Sequence, residues 1–180
     1  MEKEAIQNKE KNFVSCVLYL HNDGKNIREF LKTVCGTMEQ NFEKYEIVCV
    51  NDCCMDDTIE EIHRYLEESN TRHVVSLINL SFYQGVEMAM NAGRDLAVGD
   101  FLFEFDRCLL DFEPSLIMDI YHKALEGYDV VAAAPKRDVA FTSRLFYVVY
   151  NLGSRSTHKL RQERFRIISR RTVNRVQIPK

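Results

Sequence analysis

Three clusters of polar side chains in this chain have types and spacings that could do chemistry. The first lies in FLFEFDRCLLD, residues 101–111, where an apolar run ends at Asp106. A carboxylate delivered by a strand end suits a hard divalent cation such as Mg2+ or Mn2+, which takes oxygen ligands and bridges a diphosphate. Cys108 stands two residues on, where a second carboxylate is expected for that work, and a thiolate is a poor ligand for either ion. Glu104, on the same strand face as Asp106, or Asp111 is the substitute the spacing offers. A soft-metal or redox cluster of Cys53, Cys54 and Cys108 is another reading, and incidental thiols are the blander one.

The second cluster joins His21, Asn22 and Asp23 after one apolar run to Asn51 and Asp52 after the next. Neighbouring parallel strands end on the same edge, so these groups can converge on one crevice. An ionised carboxylate is acceptor-only, which fits Asp52 to the donors of a base or ribose. Asx residues after strands also make turns, and either group alone reads that way. Together, at successive strand ends, they read as a nucleotide site. The third cluster is basic: Arg144, Arg155, Lys159, Arg161, Arg164, Arg166, Arg170 and Arg171. Guanidinium groups grip phosphate at two points, although a solvated helix face accounts for many such residues.

The elements that must position these groups emerge from periodicity. FVSCVLYL, YEIVCV and HVVSLINL read as strands buried on both faces. Between them, Ile27, Phe30, Leu31, Val34 and Met38 mark one amphipathic helix, and Ile59, Ile62 and Leu66 mark another. Asp57 and Glu60 resemble a capping box opening the second. Gly85, Ala89, Ala92, Gly93 and Leu96 line one side of a third helix, which predicts close packing on its neighbour. A fourth strand surrounds Phe103, a helix starts near Pro114, and YDVVAAAP is a fifth strand. Alternating strand and helix predict an α/β fold with a mainly parallel central sheet, flanking helices and right-handed crossovers. Beyond it, FTSRLFYVVYNL reads as helix, FRII as a short strand, and Ser169 as the cap of a final helix.

Bulk composition narrows the classes. The chain has 180 residues, 46% hydrophobic and 11% aromatic, which predicts one domain over residues 13–180 behind a polar leader of residues 1–12. No apolar run reaches membrane-span length, the leader is charged, and the six cysteines lack disulfide or zinc spacing, so the expected compartment is the cytoplasm. Residues 141–180 carry ten Lys or Arg against one acid, Glu163, while the first 140 carry fourteen against twenty-six. Such a division predicts an acidic nucleotide-binding part and a basic surface for phosphates, on a substrate or at a membrane face. Nucleic acid is not the expected partner, because no binding motif accompanies the charge.

These motifs together resemble the family 2, GT-A type glycosyltransferases. VSCVLYLHNDGKNI is similar to the family's opening strand, VNDCCMDDT to its Val-Asp-Asp-Gly-Ser segment, and QGVEMAMNAGRDLAVGD to its Gly-x-x-x-Ala-x-Asn-x-Gly helix. FEFDRCLLDFEPSLI occupies the place of its D-x-D region. SRLFYVVYNLGS and RFRIISRRTVNRV resemble the branch acting on polyprenyl phosphates, such as dolichyl-phosphate mannose synthase. The resemblance runs from Phe13 to Val176 and implies a Rossmann-like GT-A fold. It further implies transfer of a sugar, with inversion, from a UDP- or GDP-linked donor to a lipid phosphate at the cytoplasmic membrane face. His21, Asn22, Asp23, Asn51, Asp52, Gly85 and Asn91 would bind the nucleotide, Asp106 and Asp111 would serve catalysis, and Asp106 with Glu104 would hold Mg2+ or Mn2+. Arg166, Arg170 and Arg171 would face the phosphates. The departures are Cys108 for the second Asp of D-x-D, Cys53 and Cys54 for Gly-Ser, and Arg164 for an Asp. They leave open a second expectation, a catalytically degenerate domain that binds nucleotide or a protein partner.

Overall fold

The computed structural model describes residues 9–69, 71–133 and 165–177. Elements alternate as β1 (Val14–Leu20), α1 (Ile27–Asn41), β2 (Tyr45–Asn51), α2 (Thr58–Ser69), β3 (Val75–Asn79), α3 (Val86–Leu96), β4 (Phe101–Phe105), α4 (Ser115–Leu125) and β5 (Val130–Ala133). After the interval 134–164 come β6 (Phe165–Ser169) and a helix, here α5 (Arg170–Gln177). They form one six-stranded sheet in the order β3-β2-β1-β4-β6-β5.

Four strands, β3, β2, β1 and β4, run parallel. That half accords with the sequence: near-continuous apolar strands joined by helical crossovers need cover on both faces. β6 departs from the pattern, lying antiparallel between β4 and β5. The fifth strand is therefore not the next neighbour of the fourth. Strand order reverses between β1 and β4, and an α/β sheet opens its ligand crevice at such a point.

Alternation along the strands sends side chains to two cores. Cys16, Leu18, Leu20, Phe103, Phe105 and Ile167 join α1, α2 and α4 on one face. Val17, Val50, Leu102 and Ile168 meet Ala89 and Met90 of α3 and Val173 of α5 on the other. Where β4 meets β6, Phe105 stacks on Phe165 at 4.9 Å, with Phe112 4.5 Å from Phe165 and Phe30 edge-on to Phe105 at 5.3 Å. Aromatic pairs of this kind add about 0.5–1.5 kcal/mol each beyond the area they bury.

Local signals fare variously. The small-residue side of α3 packs closely: a Cβ added at Gly93 would lie 2.3 Å from Cγ1 of Val17. Leu96, expected on that side, is 58% exposed. Ser169 Oγ accepts the Thr172 amide at 3.4 Å, as a cap of α5 should. For α2 the capping side chain is Asp56, which takes the Thr58 amide at 3.1 Å, in place of Asp57. The leader is tied down from residue 10: Glu10 bridges Phe42, and Asn12 donates to the Tyr121 hydroxyl at 2.8 Å. The helix expected in FTSRLFYVVYNL lies outside the described residues.

Candidate functional site: two rims of one sheet edge

At the ends of β1 and β2 the polar cluster expected from the sequence is assembled, and most of its bonds are internal. Asp23 Oδ2 accepts the His21 amide at 2.9 Å, and the Asp23 amide donates to Thr58 Oγ1 at 2.8 Å. Burial pushes the Asp23 carboxyl above the usual range, partly offset by the amide of His21. Asn22, in the left-handed region at φ 60, accepts the Met55 amide through Oδ1 at 2.8 Å. Asn51 accepts the Cys54 amide at 2.8 Å and donates to Asn79 Oδ1 at 2.9 Å. These are loop-closing bonds of the kind Asx residues make after strands.

Asp52 has a different task from the one its position suggested. It is fully buried, and its carboxylate accepts the amides of Gln84 at 2.7 Å and Gly85 at 2.8 Å and the Tyr19 hydroxyl at 3.1 Å. The expected contact with a base or ribose is replaced by an anchor for the loop that starts α3. Gly85 is correspondingly a structural donor, held at φ 85, where L side chains are strained. What this rim leaves open is aromatic: Tyr83 is 60% exposed and its ring lies 4.8 Å from that of His21, whose Nδ1 meets the Asp52 carbonyl at 2.8 Å.

The second rim, at the ends of β4 and β6, opens into a cleft of about 360 Å³ whose walls include Asn91, Arg94, Glu104, Asp106, Phe165 and Arg166. Glu104 and Arg166 are register partners across the antiparallel pair, on the face that meets α3. Glu104 is buried, and both its oxygens are taken: Arg94 forks onto Oε1 and Oε2, and Arg166 Nε donates to Oε2 at 2.7 Å. Arg94 also donates to Asn91 Oδ1. Glu104 is thus the centre of an arginine clamp, which corrects the expectation of a metal ligand at that position.

Asp106 is half exposed at the mouth of this cleft, with Arg107 Nε 3.8 Å from Oδ1. Cys108 turns to the opposite face and joins the core around α1 and α4. Its thiol lies 3.6 Å from the Tyr19 carbonyl, and burial holds it far above the ordinary thiol range, so it stays protonated. Burial also raises Cys54, which removes the basis for a thiolate cluster with Cys53. Asp111 is exposed beyond β4, and its amide bonds the Leu109 carbonyl at 3.1 Å. Among the described residues no three His, Cys, Asp or Glu side chains converge as a metal-binding group. With Glu104 sequestered and Cys108 a buried thiol, the open carboxylates of the cleft are Glu87 and Asp106, a set too small to hold a divalent ion by the protein alone.

Of the three arginines expected at the phosphates, only Arg166 lines the cleft. Arg170 donates to the carbonyls of Gly99 at 2.9 Å and Ala97 at 2.6 Å, and Arg171 pairs with Asp129 at 2.5 Å. The cause is the reversal of β6: Ser169 lies beside Phe101, so Arg170 and Arg171 sit at the opposite sheet edge from Asp106. Arg144, Arg155, Lys159, Arg161 and Arg164 lie outside the described residues. The residue missed from the sequence is Arg94, whose one signal was its place three after Asn91 on the same helix face.

Comparison with known proteins agrees with this architecture. The model of glycosyl transferase family 2 matches residues 15–172. An uncharacterized glycosyltransferase from Synechocystis is 29% identical over 175 residues, 92% of this chain and 53% of the relative. Another, from Bacillus subtilis, is 32% identical over 79% of this chain and 44% of its own length. An undecaprenyl-phosphate 4-deoxy-4-formamido-L-arabinose transferase from Edwardsiella ictaluri is 29% identical over 82% of this chain and 45% of the relative. The chain spans about half the length of these curated relatives. Among solved structures, a mannosyltransferase from Pyrobaculum calidifontis in complex with GDP-Man and Mn2+ superposes with a TM-score of 0.70 at 16% identity, covering 97% of this chain and 50% of that one. A mannosyl-3-phosphoglycerate synthase from Rubrobacter xylanophilus gives 0.72 at 19% identity, over 89% and 54% of the two chains. With the GT-A fold in place and the family model matching nearly end to end, the chain belongs to glycosyl transferase family 2.

Proposed function

We propose that this chain transfers a sugar from a UDP- or GDP-linked donor to a polyprenyl phosphate, with inversion at the sugar carbon. One observation carries the reading: the cleft at the switch point of the sheet brings an exposed carboxylate, Asp106, together with the guanidinium groups of Arg94 and Arg166 in a largely polar lining. The similarity to undecaprenyl-phosphate sugar transferases supports the acceptor class. At the β1 rim the exposed ring of Tyr83, 4.8 Å from that of His21, offers a face on which a base can stack.

In an inverting transfer, an acceptor oxygen attacks the sugar's anomeric carbon as the bond to the nucleotide diphosphate breaks. A phosphate oxygen is already ionised near neutral pH, so such an acceptor needs little help from a general base. That removes the need for a carboxylate at Arg164, and it leaves Asp106 to orient the donor sugar or ribose. The leaving diphosphate gains charge, and a fixed guanidinium facing it stabilises that charge without reorganising. Among the described residues no helix is long and apolar enough to cross a membrane. Work at the cytoplasmic membrane face therefore belongs to this proposal through its lipid acceptor.

The test is incubation of the purified chain with labelled UDP- and GDP-sugars and undecaprenyl or dolichyl phosphate in detergent. A labelled lipid of inverted configuration supports the reading, and no product with any pair overturns it. A second reading, a domain that binds nucleotide or a partner without transfer, is favoured by the burial of Cys108 where the family has a carboxylate. It predicts nucleotide binding without turnover.

A further inference from the structure

We infer that His21 selects the donor's base, accepting through Nε2 the ring N–H that uracil and guanine carry and that cytosine and adenine lack. The inference rests on the nucleotide-sugar reading above and deepens it to a rule for the base.

The rule starts from one hydrogen bond. His21 Nδ1 lies 2.8 Å from the carbonyl oxygen of Asp52. A carbonyl oxygen only accepts, so Nδ1 carries the proton, and in the neutral ring the lone pair is left on Nε2. The two nitrogens flank Cε1 and point apart, so an Nδ1 turned to the end of β2 leaves Nε2 facing away from it. Among the described residues Nε2 has no hydrogen-bond partner. The rings of His21 and Tyr83 stand 4.8 Å apart and inclined at 52°. They make a corner, in which a base laid on the exposed face of Tyr83 turns one edge towards the imidazole.

Neighbouring acceptors at this rim are committed elsewhere. The buried Asp52 carboxylate holds two amides and the Tyr19 hydroxyl, while Oδ1 of Asn51 and Oδ1 of Asn22 take the amides of Cys54 and Met55. Nε2 is thus an acceptor that the fold leaves open beside the stacking face. On the edge far from the sugar, uracil and guanine offer it a ring N–H. Cytosine and adenine have a bare nitrogen there, so two lone pairs would meet and both would go unpaired, which costs more than a made bond returns.

Calorimetric titration of the full chain with Mn2+ present tests the inference, comparing UDP with CDP and GDP with ADP, pairs matched in ring size. UDP methylated at N3 and GDP methylated at N1 test the same contact without altering the protein. UDP, GDP or both should bind, each at least about tenfold tighter than its matched partner and than its methylated form. His21→Phe keeps a ring against Tyr83 and removes the acceptor. It should weaken the parent ligand by about tenfold, bring it within about threefold of its matched partner, and leave affinity for the methylated form unchanged, which also reports that the variant is folded. A preference that survives in His21→Phe, a preference for CDP or ADP, or a parent bound no tighter than its methylated form overturns the inference and leaves the nucleotide-sugar reading standing. No binding of any of the four diphosphates overturns both.

Discussion

The two rims of the sheet carry similar numbers of polar side chains and use them in opposite ways. At β1 and β2 the carboxylates and amides face one another and the loop backbones: Asp52 satisfies Gln84 and Gly85, Asn51 satisfies Cys54, and Asn22 satisfies Met55. At β4 and β6 the bonds of Glu104 fix two cations against an open cleft. The first arrangement makes a floor, and the second makes a grip. Sequence clustering marks both equally, because it records which polar residues lie near each other along the chain and not where their hydrogen bonds end.

Four substitutions would sharpen that contrast or break it. Cys108→Asp should have the largest effect, because it restores the family's carboxylate inside the α1 and α4 core beside Asp23. An unpaired charge there costs at least about 3 kcal/mol, so chemical denaturation should show a large loss and calorimetry no new Mn2+ site. Mn2+ binding without lost stability would show that the second rim can still house a metal. Glu104→Ala comes next: two half-buried arginines lose their shared anion, and unfolding in urea should register about 3 kcal/mol. A neutral result would mean that the clamp holds nothing in place.

Asp52→Ala leaves two amides and a hydroxyl without their acceptor and should lower stability by about 2 kcal/mol, with nucleotide affinity falling only as far as the α3 loop loosens. If affinity collapsed while stability held, Asp52 would belong to a binding surface and not to the floor. Asp106→Asn should be the mildest in urea, within about 0.5 kcal/mol, since the side chain is half exposed. Its effect should appear in sugar transfer to the lipid acceptor. A large stability loss would place Asp106 with the floor.

The parallel half of the fold was legible because each of its strands is bounded by turn residues and each connecting helix carries an apolar stripe. Ser169 and Gly93 were legible for a related reason: a cap or a close approach is written within a few residues. The reversal of β6 was not, since strand direction depends on partners far along the chain, and it moved Arg170 and Arg171 to the wrong edge. The role of Asp52 was hidden because its partners lie 32 and 33 residues away. Arg94 was hidden because helical spacing gives the face a side chain shares but not the strand residue beneath it. Cys108 stands out in the sequence as a departure, while its turn into the opposite core could not be read from an apolar run that ends two residues earlier.

Gly93 adds a property of another kind. With no side chain there, α3 rests on the methyl groups of Val17 and Val50, and Arg94 is the very next residue. The height of α3 above β1 and β2 is therefore gauged by hard contact between backbone and methyl, with little elastic give. A stiff gauge measures. It fixes how far Arg94 stands from Glu104, so a larger residue in place of Gly93 should lift the helix and loosen that pair.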